Sequence, residues 1–115
     1  MGRAARLALA LALASAPALA HHGWSEYDSS KALKLNGKIL ESGYEHPHGH
    51  VVLESSGKKW NVVLAPPSRM EFRGLSKEML APGGTASVEG YPNRNKPDEL
   101  RAERITIQGK TTELR

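Results

Sequence analysis

Beyond Lys31 the apolar residues fall on alternate positions in short runs, and Gly, Pro or Ser cuts each run off before a helix of useful length can form. Leu33, Leu35 and Ile39 share one parity with Lys34, Asn36 and Lys38 between them, as in a strand buried on one face. Leu40 breaks the parity, and a bulge at Ile39–Leu40 accounts for it. Val51 and Leu53 give a second strand ended by Ser55-Ser56-Gly57, a hairpin turn leading into a third strand with Trp60, Val62 and Leu64. Pro66-Pro67 stops that strand. Ser68 then fits the cap of a short helix whose apolar side is Met70, Phe72 and Leu75, with a break at Gly74 and a further helical turn over Ser76–Leu80. Pro82-Gly83-Gly84 opens a fourth strand, Thr85 to Tyr91, and the polar loop Pro92 to Glu99 leads to a fifth carrying Ile105 and Ile107.

Five strands with one short helix between the third and fourth predict a mainly β fold: a small five-stranded OB-like Greek-key barrel over residues 31–110, with 111–115 as a tail. An open five-stranded sheet covered by the helix would produce the same order. The expected core is Leu33, Leu35, Ile39, Val51, Leu53, Trp60, Val62, Leu64, Val88, Ile105 and Ile107.

The first twenty residues belong to a different kind of segment. Arg3 and Arg6 are followed by an eight-residue run of Leu and Ala, Leu7 to Ala14, then Pro17 and the small-x-small triplet Ala18-Leu19-Ala20. This order is that of a secretory signal peptide over residues 1–20, too short in its apolar part to span a bilayer, with cleavage expected between Ala20 and His21. The expected location is therefore periplasmic or secreted, without a membrane anchor. The 95 residues that follow carry a formal charge of +2 rather than +4, since both leader arginines leave. So small a surplus, with few aromatics, gives no reason to expect a nucleic-acid partner. With no cysteine in the chain, no disulfide supports the core, and stability must come from packing.

All five histidines lie in two places. His21 and His22 would open the processed chain, and residues 21–30 read as an N-terminal arm; His46, His48 and His50 recur at every second position between the first two strands. On an extended backbone the three would share a face, although Pro47 and Gly49 fit a tight turn equally well. A terminal His21 would offer its α-amine and its ring to one ion. Nitrogen donors without thiolate suit copper(II) first, with zinc and nickel behind it. His21, His22, His46, His48 and His50 are thus candidate metal ligands. Trp24, Tyr27 and Tyr44 lie nearby in sequence, and for Trp24 and Trp60 the expected role is packing.

The residues His21-His22-Gly23-Trp24, Tyr44-Glu45-His46-Pro47-His48, Leu80-Ala81-Pro82-Gly83 and Val88-Glu89-Gly90-Tyr91 resemble those of a family of small exported bacterial proteins of unknown function. Members begin the processed chain with His-His and carry an Asn-Pro-His motif, to which Pro47 and His48 correspond. His46 stands where Asn is usual. The resemblance implies export and fold, and names no activity.

No nucleophile motif, Ser-His-Asp order or phosphate loop stands out, so catalysis is not expected and no catalytic residue is assigned. The functional expectation is a metal-binding protein for copper(II). The alternative is a module for a small non-metal ligand or a protein partner.

Overall fold

The computed structural model describes residues 23–115. His21, His22 and the leader lie outside them. The strands are β1 (Leu33–Gly43), β2 (His50–Ser55), β3 (Lys58–Val63), β4 (Thr85–Pro92), β5 (Glu99–Ile107) and β6 (Lys110–Glu113), with helix α1 (Pro67–Phe72) between β3 and β4. They follow the order β3-β2-β1-β4-β5-β6, and a parallel pairing of β3 with β5 closes the first five into a barrel. The fold is the expected OB-like barrel, with one extra strand.

β1 is long enough to serve two partners. Its first half pairs with β4 from Leu33 to Lys38, and its second half pairs with β2 from Lys38 to Gly43. Between them Ile39 faces Leu53 and Glu41 faces Val52, so Leu40 is the extra residue of a bulge, where the parity broke in the sequence. A second bulge lies on β5: Glu89 faces Arg104 and Gly90 faces Ala102, leaving Glu103 over. The backbones approach so closely there that a Cβ on Gly90 would fall 2.1 Å from the Arg101 carbonyl oxygen.

Ile39, Val51, Leu53, Val62, Leu64, Val88, Ile105 and Ile107 are buried as expected. Leu33, Leu35 and Trp60 are only half-buried and pack against the rim of this core. Leu100 and Ala102 join it from β5, because the bulge at Glu103 shifts the inward parity between them and Ile105.

α1 differs from expectation in two ways. Pro66 occupies the cap position and Pro67 the first turn, so Ser68 lies inside the helix rather than capping it. Met70 and Leu75 plug the barrel, whereas Phe72 is 91% exposed. Two helical positions advance about 200° around the axis, so Met70 and Phe72 cannot share a face. The expected tail over 111–115 is also absent. Thr111 and Thr112 pair with Thr106 and Ile105, and Leu114 is buried. Among the described residues no helix is long and apolar enough to cross a membrane.

Candidate functional site

The β1–β2 loop and the β4–β5 loop stand on the same side of the barrel, where OB folds present their binding surface. Strand register places the site's side chains. Gly43 pairs with His50, His50 with Val63, and Val63 with Arg101, so one row crosses β1, β2, β3 and β5 on the outer face. Gly49 is fixed beneath the loop: its N–H donates to the Ala65 carbonyl at 2.9 Å, and its own carbonyl accepts from the Leu64 N–H at 2.9 Å.

The arm forms the opposite wall. Its residues Trp24–Glu26 make one 3-10 turn, and Tyr27 pairs with Asn93 as an isolated bridge. The Arg94 N–H donates to the Glu26 carbonyl and the Asp28 N–H to the Pro92 carbonyl, each at 2.9 Å, which zips the arm to the β4–β5 loop. Asn93 shapes that loop by accepting at Oδ1 from the N–H groups of Asn95 and Lys96. Its Nδ2 donates to Glu99 Oε2 at 3.2 Å, the same oxygen that accepts from the Tyr27 hydroxyl. Burial, reinforced by the Glu99 carboxylate, pushes the Tyr27 phenol up to about 12.

Between the walls lies a cleft of about 280 Å³, lined by Glu26 and Tyr27 from the arm, Pro47 to His50 from the first loop, Val63 beneath, and Lys96, Glu99 and Arg101 from the far side. A larger cleft of about 530 Å³, bordered by Glu78, Pro82, Thr85 and Gln108, contains no histidine.

Arg101 is the most constrained charge here. It projects outward from β5 yet is 7% exposed, because the arm covers it. Its guanidinium carbon lies 4.4 Å from the Trp24 ring centroid and 5.9 Å from that of Tyr27, and Arg115 approaches Trp24 equally closely at 4.4 Å. Loss of solvent holds its pKa below the ordinary guanidinium value, with the cations Arg69 and Arg115 adding to the effect. Arg101 Nη2 makes a long contact of 3.4 Å to His48 Nε2, which casts that ring nitrogen as the acceptor.

The three loop histidines do not act as one face. His48 and His50 line the cleft, whereas His46 is exposed on the loop and takes no part in its lining. The chain bends at His46 and Pro47 instead of continuing extended, so the alternate spacing does not translate into a shared direction. Among the described residues, which do not include His21 and His22, no group of three or more His, Cys, Asp or Glu side chains is disposed to hold a metal ion. Sequence reasoning placed Tyr27 near the histidines but missed Arg101, Lys96 and Glu99. Arg101 sits between the inward residues Leu100 and Ala102, as an ordinary exposed strand residue would; the arm, with Trp24 and Tyr27 against it, makes it buried.

Solved structures match the fold. A complex of TiaS with an isoleucine transfer RNA and ATP matches with a TM-score of 0.52 and 21% identity over 77% of this chain. A ZRD-deleted TiaS in complex with agmatine gives 0.52 and 21% over 76%. The Stn1–Ten1 complex of S. pombe gives 0.54 and 17% over 69% of this chain and 59% of that one. The match spans only 20% to 25% of the two TiaS chains, and at these identities the likeness is one of fold. Comparison with curated protein sequences finds no match. A family profile matches residues 9–102, most of the chain, and by that match the protein belongs to a family of unknown function, DUF6152.

Proposed function

We propose that this protein is an exported OB-like module that binds copper(II) in the cleft between its first loop and its arm, handling the ion rather than catalysing a reaction. The observation that carries the proposal is that His48 and His50 line one cleft whose other wall is the arm itself. His21 precedes Trp24 by three residues of chain, a reach of about 11 Å at most. Cleavage after Ala20 would leave a terminal amine and two further imidazoles at the head of the arm that walls this cleft. Such a set of nitrogen donors supports copper(II) over harder ions, and the leader supports a periplasmic or secreted location. Glu26 and Glu99 add carboxylates at the margin.

A second reading is favoured by Lys96 and Arg101, which give the same cleft two cations. They suit a small anionic ligand bound without metal. Native mass spectrometry of protein purified from its own compartment, without an N-terminal tag, tests the first reading. It should report a chain starting at His21 that takes up one copper(II) ion on titration. A chain that starts there and takes up none would leave the second reading in its place.

A further inference from the structure

We infer that a separate cleft, along the same arm but away from the histidines, binds a tetrahedral dianion of the phosphate class, free or as a small monoester, between Arg94 and Arg115. The inference does not depend on the metal reading.

This cleft measures about 230 Å³ and is bordered by Trp24, Ser25 and Ser29 of the arm, Tyr91 on β4, Arg94 and Arg115. Among the described residues, two guanidiniums and no carboxylate line it. Its size falls below that of sites for larger organic ligands and suits a small ion or headgroup.

Both arginines are held by contacts that leave charge to spare. Arg94 Nε donates to the Ser25 carbonyl at 3.0 Å, a neutral acceptor. Its backbone N–H donates to the Glu26 carbonyl, so loop and arm are tied together on either side of the cleft. Its terminal nitrogens meet no acceptor among the described residues. An arginine tied down at Nε keeps the fork of its two terminal nitrogens for an oxyanion. Arg115 lies against the Trp24 ring at 4.4 Å, and that ring is steadied by edge contact with Tyr91 at 6.2 Å. The Arg115 carbonyl accepts from Arg73 Nη1 at 3.2 Å, which anchors its backbone.

The neighbouring carboxylates are engaged elsewhere. Glu103 Oε1 accepts from Arg115 Nη1 at a long 3.3 Å, and the Tyr91 phenol also donates to that carboxylate. It offsets part of one charge. Asp28 accepts from the Ser30 N–H and hydroxyl and faces Lys31 at 3.9 Å. Positive charge is therefore in surplus at the cleft. A tetrahedral dianion presents oxygen edges to two forks at once, whereas a planar monoanion satisfies one. The hydroxyls of Ser25 and Ser29 add neutral donors at the rim, and the rings of Trp24 and Tyr91 offer an apolar wall to the carbon of an ester.

Isothermal titration of the untagged chain at constant ionic strength tests this, at about pH 8, where phosphate is doubly charged. Inorganic phosphate and methyl phosphate should each bind at a single site, at least about tenfold tighter than acetate. Arg94→Met and Arg115→Met should each weaken phosphate binding by about tenfold or more, and Arg94→Lys nearly as much, since an ammonium has no fork. Amide NMR of wild type locates the ion without any variant: phosphate should shift Ser25, Ser29 and Arg94 and leave Gly49 and His50 in place. Phosphate bound no tighter than acetate, or equally well by a folded Arg94→Met, overturns the inference. Shifts centred on Gly49 and His50 overturn it too, by placing the anion in the histidine cleft. None of these outcomes depends on whether the chain takes up copper(II).

Discussion

The imidazole of His50 occupies the space that a side chain on Gly43 would take: a Cβ built there would lie 2.3 Å from His50 Cε1 and 2.7 Å from its Nδ1. Glu45 Oε1 comes within 3.1 Å of the same point. Glycine at the end of β1 thus sets the direction of a cleft histidine on β2, through the pairing of the two residues.

Gly43→Ala should accordingly push the His50 ring aside. The expected cost in stability is about 1–3 kcal/mol, as for other small-to-large changes in tight places. The informative readout is NMR of the His50 ring carbon, whose shift should move while the barrel's amide spectrum is largely kept. An unmoved His50 resonance in a folded variant would show that the ring does not depend on Gly43.

Helix α1 makes a sharper contrast. Met70→Ala removes a fully buried side chain from the barrel end and should cost about 2–5 kcal/mol in chemical denaturation. Phe72→Ser, two residues on, changes a side chain that is 91% exposed and should stay within about 0.5 kcal/mol of wild type. Equal losses at both positions would contradict the helix orientation.

Tyr27 links stability to alkaline pH. Its phenol is raised from 10.0 to about 12 in the fold by burial and by the Glu99 carboxylate. The unfolded chain therefore gives up this proton first as pH rises. The stabilising contribution is whole below about pH 10 and is lost as pH climbs through about 12. The phenols of Tyr44 and Tyr91 are also raised, the first by burial and the second by the Glu103 carboxylate, so absorbance titration should show Tyr27 ionising last of the three, and Tyr27→Phe should remove that last phase and flatten the alkaline slope. A late phase that survives in Tyr27→Phe would assign it elsewhere.

How far the sequence could be read follows from where its periodicity is kept. β1 to β3 obey it, and even the Leu40 bulge is visible as a break in parity. β5 hides its first half, because Glu103 flips the parity and leaves Leu100 and Ala102 out of step with Ile105. The last strand is hidden by its composition, since Lys110 to Glu113 has the polar look of a tail and only Leu114 returns to the core. For the site, spacing singles out the loop histidines but not their directions. Arg101 carries no local mark at all, as its burial comes from an aromatic ring on the arm.

The loop histidines divide by position, and copper(II) affinity should divide with them. His48 and His50 border the cleft, and His46 is exposed outside its lining. If copper(II) binds where we propose, removing a ligand ring should weaken it by about tenfold or more, while removing a bystander should leave it unchanged. His48→Ala and His50→Ala should therefore each lower affinity, and His46→Ala should not. At the terminus, His21→Ala keeps the amine but loses a ring, and should weaken binding more than His22→Ala. All of these ligands bind metal only without their protons, so affinity in wild type should fall on acidification. Isothermal titration of the untagged chain measures each of these effects. Equal losses for His46 and His48 would mean that the loop binds as a flexible cluster, away from the cleft. Affinity unchanged after removal of all five rings would end the metal reading.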